Sequence, residues 1–298
     1  MIFDFRLKVF QTVANNLSFT KAAKTLLISQ PAVTRHINEL EKQLGVRLFR
    51  RLGSGIELTP EGDLLQNHAR KIFAQYRAFE EELGRIQNVD SGSLLMGAST
   101  TISQYILPGV LAQFKKRYPS VKVQLFSGNT ETIEHMLLAE QIDFGIIEGN
   151  SSLVQIHYEN FVRDEIVLVA RVGNRLLQKQ EISLVQLPSI PLVLREAGSG
   201  TLDVIVAALK SHHIGLNDLN VEMHIGSTEG IKQYIQNSDA AAFLSIHTIT
   251  RELAANQLMI VDIRGFDVMR TLQFISLHGR STHLSDVFRA FCLRQYNI

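Results

Sequence analysis

One cysteine, Cys292, stands in 298 residues. It leaves no internal disulfide and cannot anchor a thiolate metal cage, which excludes a disulfide-stapled secreted domain and predicts a reducing, cytoplasmic setting. Proline is scarce, at six residues, and charged residues are 20% of the chain against 45% hydrophobic ones. That balance excludes disordered and fibrous classes and predicts sizeable buried cores. No apolar run nears the roughly 18 residues of a membrane span. The longest such run, near 240–246, is short and holds Ser245. Asp4, Arg6 and Lys8 interrupt the first twenty residues and no small-residue cleavage site follows, so no signal peptide is expected. At roughly 100 to 200 residues per domain the length allows two or three domains.

Catalytic signatures are missing as well. The ten His are scattered, with His212 and His213 the only adjacent pair, and neither a His-Glu-x-x-His pattern nor a carboxylate-rich loop accompanies them. Ser199 lies in Gly-Ser-Gly and not in a Gly-x-Ser-x-Gly elbow, and no glycine-rich phosphate loop ends in Lys-Ser or Lys-Thr. Cys292, on a terminal helix, reads as packed. No catalytic residue, metal or cofactor is expected.

The net charge of only +1 hides a division. Residues 1–58 hold nine Lys or Arg against four acids, net +5, while the remainder holds 21 against 25, net −4. A basic head on an acidic body points to a polyanionic partner, with a solvated surface face as the plain alternative.

The head reads as a winged helix-turn-helix. Phe3, Leu7, Phe10, Val13 and Ala14 recur at helical spacing until Asn15-Asn16. Ser18 caps a second helix from Phe19 to about Leu26; Ile28-Ser29 form the turn, and Ser29 with first-turn Pro31 starts a third helix that runs to Gly45. Val33, Ile37 and Leu40 face inward, leaving Gln30, Ala32, Thr34 and Arg35 for base edges and phosphates in a major groove. The stretch from Val46 to Thr59 alternates around Gly53 and Gly55 as a hairpin wing, where Arg50 and Arg51 would grip phosphates unless they merely solvate a strand edge.

These residues resemble the LysR-type transcriptional regulators, continuously from Phe5 to Gly62. The signature elements are Phe10 with Val13 and Ala14, Ser18-Phe19-Thr20-Lys21-Ala22-Ala23, Ser29-Gln30-Pro31-Ala32-Val33-Thr34-Arg35-His36-Ile37, Leu40-Glu41, Leu44-Gly45, Leu48-Phe49-Arg50-Arg51 and Leu58-Thr59-Pro60-Glu61-Gly62. The resemblance implies a DNA-binding homodimer or homotetramer, with RNA polymerase a further candidate partner. Its DNA-binding set is Ser18, Thr20, Lys21, Ser29, Gln30, Pro31, Ala32, Thr34, Arg35, Arg50, Arg51 and Ser54.

Thr59-Pro60-Glu61 opens a helix expected to reach Ile86 or Gln87. Leu65, Ala69, Ile72, Tyr76, Phe79 and Leu83, with Ile86, repeat by threes and fours, a seam for a second copy or for the body. Turn formers at 88–93 mark a hinge.

Short β-like runs then alternate with helical patterns in two sets. The first set has strands at 94–98, 121–127 and 144–147 with helices at 104–118 and 132–139. The second has strands at 166–170, 192–194, 221–225 and 241–244 with helices at 201–213 and 229–237. Returning strands at 259–263 and 271–278 and a helix at about 284–292 close the chain. This resembles the family's periplasmic-binding-protein-like effector domain. The expected fold is α/β: a winged helix-turn-helix over 1–58, a linker helix and hinge over 59–89, and a two-lobed body over 90–298. Lobe I takes about 90–162 and 267–298 and lobe II about 163–266, with crossings near 160–165 and 264–270.

Ligands of open α/β sheets bind at strand carboxyl ends, where helix N-termini offer N–H groups. Here those places hold Ser99-Thr100-Thr101, Ser127 with Asn129-Thr130, Arg195 with Ser199 and Thr201, and Ser227-Thr228. Each hydroxyl alone could simply cap its helix; four groups together suggest one cleft for a small anion, a carboxylate or sulfur oxyanion. The resemblance carries the ligand role onto Thr100, Thr101 and Ser199-Gly200-Thr201, and the stretch Arg195-Glu196-Ala197-Gly198-Ser199-Gly200-Thr201 looks like members that sense sulfur or nitrogen metabolites. Glu148 could meet an effector amine or hydroxyl, or pair with a neighbouring base. A two-lobed receptor or enzyme with an unrelated head, or a ligand-free architectural DNA binder, are the alternatives to an effector-switched promoter binder.

Overall fold

The computed structural model describes residues 4–53, 55–86, 91–149, 151–177 and 180–296. They form two compact units, residues 1–89 and 90–298. Phe3, Ser54, Gln87 and the first half of the hinge at 88–90 lie outside the described residues.

In the first unit, helix α1 spans Phe5–Asn16, capped by Asp4, which accepts from Arg6 N at 2.9 Å. Helix α2, Phe19–Leu26, begins where Ser18 Oγ accepts from Lys21 N, and Leu27 ends it in the left-handed region at φ 56°. Helix α3, Gln30–Leu44, starts at Ser29 and Pro31 and stops at left-handed Gly45. Strands β1 (Phe49–Leu52) and β2 (Gly55–Leu58) pair antiparallel as the wing. Val9, Phe10, Val13, Ala22, Val33 and Leu48 are fully buried at the centre. Glu41 joins α3 to the wing: its carboxylate, 7% exposed, accepts from Leu48 N at 2.8 Å and from Arg47 at 2.7 Å.

Helix α4, Pro60–Ile86, opens where Thr59 Oγ1 accepts from Gly62 N at 3.0 Å. Its apolar positions divide. Ala69 is fully buried and Leu65 packs on the head's core, which corrects their expected place in the seam: the first three turns lie against the head, and α4 touches α1. Ile72, Phe79 and Leu83 are 40–48% exposed and Tyr76 is half-buried.

The second unit is one mixed sheet. In lobe I, strands β3 (Gly92–Ser99), β4 (Val121–Gly128) and β5 (Phe144–Ile147) are parallel, in the order β4-β3-β5, with helices α5 (Leu107–Arg117) and α6 (Thr130–Leu138) between them. The helix expected from Gln104 starts earlier, at Thr100, and passes through a π turn over Ile102–Ile106, where Leu107 N reaches back to Ile102 O. Pro108, which has no N–H to donate, sits in the turn that follows.

Strand β6 runs unbroken over Ile156–Arg171. The later strands are β7 (Glu181–Ser183), β8 (Leu192–Leu194), β9 (Val221–His224), β10 (Ala241–Ser245), β11 (Leu258–Arg264) and β12 (Val268–Leu277). Helices α7 (Gly200–Ser211), α8 (Thr228–Gln236), α9 (Ile246–Ala254) and α10 (His283–Gln295) complete the unit. Strands β10, β8 and β9 form the parallel set of lobe II. Of the two expected crossings, 160–165 lies inside β6 and 264–270 holds a short turn at 265–267 before β12, which pairs with β6 antiparallel from Val268 opposite Ile166 to Leu277 opposite Ile156. Glu159, Arg163, Asp164 and Glu165 give this stretch the polarity of a loop, yet Asp164 is buried beside a partner while Arg163 and Glu165 face water. β7 and α9 are additional to the elements read from sequence. The apolar run at 240–246 conceals the change from strand to helix at Ser245, whose Oγ caps α9.

Core clusters separate by lobe. Phe114 packs edge-on to Phe288 at 4.9 Å in lobe I, beside a fully buried Cys292 whose thiol burial pushes up to about 12. Ile166, Leu168, Leu192, Ile205 and Phe243 belong to the lobe II core.

A β-carbon at Gly62 would lie 2.2 Å from the carbonyl oxygen of Leu48, so α4 approaches the wing only through glycine. Gly62→Ala is expected to destabilise the head by about 1–3 kcal/mol, as overpacking does, measured by urea denaturation of the full chain followed at a head-specific probe.

Candidate nucleic-acid interface and interlobe ligand site

The N-terminal half of α3 presents Gln30, Pro31 and Arg35 to solvent, with Ala32 and Thr34 half-buried beneath them. Gln30 Nε2 donates to Thr34 Oγ1 at 3.0 Å, which orients the amide before any base is met. Thr20, Lys21 and Ser29 are exposed and Ser18 half-buried, so the α2 start adds donors on the same unit. A groove of about 400 Å³ between α3 and the wing is lined by Ser18, Gln30, Thr34, Asn38, Arg47 and Arg51 among others. Asn38 and Arg47 were not anticipated, although Asn38 lies one turn after Thr34 on the same helix face. Arg51 is exposed, while Arg50 pairs with Glu57 across the hairpin. That exposed pair is weak and exchangeable. Ser54 lies outside the described residues.

In the second unit a buried ion cluster joins the lobes. Arg270 on β12 stands directly opposite Asp164 on β6, and its Nε donates to Asp164 Oδ2 at 2.7 Å. Its Nη1 binds Glu148, which follows β5, and also donates to Thr201 Oγ1 at 2.8 Å, in the first turn of α7. Thr201 donates in turn to Glu148 Oε2 at 2.8 Å, Thr101 N to Glu148 Oε1 at 3.0 Å, and Ser245 Oγ to Asp164 Oδ1 at 2.7 Å. Burial alone would raise the Glu148 carboxyl; Arg270, Thr201 and Arg195 outweigh it and hold it at about 2. Of the two roles open to Glu148, the structure assigns pairing with a base, and that base, Arg270, was missed. A Cβ on Gly200 would meet Glu148 O at 2.0 Å, so only glycine lets the α7 start approach lobe I this closely.

Beside this cluster Arg195, 3% exposed, follows β8. Its Nη2 donates to Thr100 Oγ1 of lobe I and its Nη1 to Thr228 Oγ1 of lobe II, both at 3.3 Å. Glu196 closes the fork, at 2.8 Å from Nε and 3.0 Å from Nη2. Burial raises the Glu196 carboxyl, but the Arg195 bonds prevail and keep it below the usual range. Ser99 is 1% and Ser199 2% exposed, at the end of β3 and the cap position of α7. The other hydroxyls have local duties. Thr130 Oγ1 donates to Glu148 O, Asn129 caps α6, Ser227 caps α8, and exposed Ser127 meets Ser103 at 2.7 Å.

A second interlobe contact lies further along. Tyr105, on the π turn of lobe I, donates to Glu229 at the start of α8, and buried Lys232 lies 5.0 Å over its ring while bonding Glu252 at 2.7 Å. Burial and Glu229 push the Tyr105 phenol up to about 12. Among the described residues no group of His, Cys, Asp and Glu is placed to hold a metal ion, and no helix is long and apolar enough to cross a membrane.

Two family models cover almost the whole chain: the bacterial regulatory helix-turn-helix of the LysR family matches residues 5–63, and the LysR substrate-binding domain matches 87–297. The chain belongs to the LysR family of transcriptional regulators. It is 34% identical over 269 residues to the HTH-type transcriptional regulator CysL of Bacillus subtilis, covering 90% of this chain and 89% of CysL. The Synechocystis PCC6803 CcmR regulatory domain, solved in complex with 2-PG, superposes with a TM-score of 0.62 at 27% identity over 68% of this chain and 96% of that one. Full-length CbnR complexed with its target DNA gives a TM-score of 0.70 over 98% and 99% of the two chains; at 21% identity it shows a common fold. In LysR terms, residues 5–63 are the helix-turn-helix region and 87–297 the substrate-binding domain.

Breaking the buried cluster of this LysR effector domain leaves charges stranded. Arg270→Met is expected to cost about 3–5 kcal/mol of stability, read from thermal or urea unfolding. The pH dependence has a definite sign. Because the folded Glu148 carboxyl is held near 2, below its ordinary 4.5, its contribution is fully present above pH 4.5 and is lost as pH falls toward 2. Stability followed across that window should fall less steeply in Glu148→Gln than in the unsubstituted chain.

Proposed function

We propose that this LysR regulator binds promoter DNA as a homodimer, assembling to a homotetramer, and that a small anionic metabolite in the interlobe cleft switches that binding. Arg195 carries the reading: a buried guanidinium reached by a threonine hydroxyl from each lobe is a recognition point for a carboxylate, phosphate or sulfur oxyanion. Thr100, Thr101, Ser199, Thr201 and Thr228 surround it with hydroxyls and helix N-termini. CcmR's regulatory domain with 2-PG supports a small-molecule effector for an effector domain of this kind. Glu148 and Arg270 set the geometry and leave the ligand to Arg195.

DNA recognition falls to Gln30, Ala32, Thr34 and Arg35 in a major groove, with Arg51 and, once released from Glu57, Arg50 on phosphates. Dimerisation uses the stripe Ile72, Phe79 and Leu83 with Tyr76, a reading supported by the 40–48% exposure of the first three. The regulator works in the cytoplasm, where RNA polymerase is the further partner that reads its state. A ligand that prefers one packing of the effector domains alters the angle between DNA-bound dimers, and hence promoter bending.

Three outcomes follow. Arg35→Ala lowers affinity for an operator fragment selected with the unsubstituted chain about tenfold or more in fluorescence anisotropy, as loss of a base-reading side chain does; unchanged affinity contradicts the assignment. Phe79→Glu converts the full chain to monomer in analytical ultracentrifugation. In thermal shift of the full chain, sulfate, phosphate or acetate raises the melting temperature at equal ionic strength while a neutral polyol does not, and equal stabilisation by the polyol contradicts an anionic effector.

A further inference from the structure

Arg195 is 3% exposed, too little for water to stabilise its charge, so an anion must stand beside it in every state. In this structure Glu196 meets that need with two parallel bonds. Glu196 differs from the acids that hold Arg270. Glu148 and Asp164 have side chains 3% and 0% exposed and are fixed by further hydrogen bonds, whereas the Glu196 side chain is 29% exposed. It belongs to the loop after β8, so its carboxylate can turn out without moving a helix or strand. Meanwhile the bonds from Arg195 to Thr100 and Thr228 are long, at 3.3 Å, and have room to rearrange.

The local charge argues the same way. Two guanidinium groups, Arg195 and Arg270, face three carboxylates, Glu148, Asp164 and Glu196, so the cluster as it stands is net negative and repels an anion. With Glu196 turned away the cluster is neutral, and Arg195 faces hydroxyls and the positive start of α8.

We propose that Glu196 is a built-in competitor of the effector: its carboxylate holds Arg195 in the ligand-free state, and an effector presenting two oxygens of one anionic group displaces it. This rests on the anion reading of the cleft given above. Displacement has a structural consequence, because Glu196 Oε1 also accepts from Asn129 Nδ2 at 3.4 Å, on the α6 cap of lobe I. Exchange removes that bond, leaving Asn129 Nδ2 its 3.3 Å bond to Ala197 O, and adds contacts through the ligand, so the two lobe arrangements differ in affinity. The competitor also sets the threshold, since effector must act against a carboxylate that is always at hand.

The test titrates the full-length chain and its Glu196→Gln, Glu196→Ala and Arg195→Gln variants with acetate, inorganic phosphate and sulfate, by calorimetry at constant ionic strength. Far-UV circular dichroism and the urea-unfolding midpoint without anion confirm that each variant is folded. The expected result is that a probe binding the unsubstituted chain binds both Glu196 variants about tenfold tighter or more, and that Arg195→Gln loses it. The preferred probe tells a carboxylate from a phosphate or sulfur oxyanion. Equal or weaker binding to both Glu196 variants, with Arg195→Gln still losing the anion, overturns the competitor and leaves the anion site standing. Binding that survives Arg195→Gln, or no binding to any form, overturns the anion reading and the competitor together.

Discussion

A guanidinium with no exposed surface needs anions and acceptors around it, and Arg270 finds them in Asp164, Glu148 and Thr201. Its partners come from separate places: Asp164 from the facing strand, Glu148 from the end of a lobe I strand, Thr201 from the first turn of a lobe II helix. A buried ion pair adds little net stability over a well-packed apolar substitute. Its effect here is on geometry. Any register shift of β6 against β12 would strand a charge, so the crossing strands and the two loops that reach them are fixed together.

The fixed cluster determines which parts of the cleft can respond. Thr201 and Thr101 N are tied to Glu148, Ser245 to Asp164, and Gly200 lies against the Glu148 carbonyl. Arg195 stands beside this framework, braced by two long threonine bonds and a half-exposed neighbouring acid. A rigid pivot with one exchangeable ion pair next to it is a sound arrangement for a sensor. In the proposed switch, ligand chemistry acts on the pair while the Arg270 cluster keeps its contacts. The Tyr105 contact to Glu229 adds a second point at which the lobes meet.

The head was legible because its code is local. Ser18, Ser29, Pro31 and Gly45 each act within a few residues, through caps, a first-turn proline and a left-handed stop. The parallel strands of both lobes were legible for the same reason, as short apolar runs between turns. What the sequence concealed depends on partners far along the chain. Arg270 and Asp164 are 106 residues apart, and no spacing rule joins them. The charged stretch from Glu159 to Glu165 could be read only as a crossing between lobes, and its strand character appears once β12 is laid beside it. Ser245 turns a strand into a helix within an apolar run, so α9 gave no signal of its own. The site hydroxyls were visible as helix caps, and Arg195 as a strand-end base. That Glu196 occupies that base, and that Glu148 is committed to Arg270, needed three dimensions.

The most direct measurement is a crystal structure of the full chain with a stabilising anion bound. The account predicts the anion on the Arg195 guanidinium between Thr100 and Thr228, with Glu196 turned out and the contacts of Arg270 to Glu148 and Asp164 unchanged. An anion seated on Arg270 with that cluster opened, or bound away from both arginines, would contradict it.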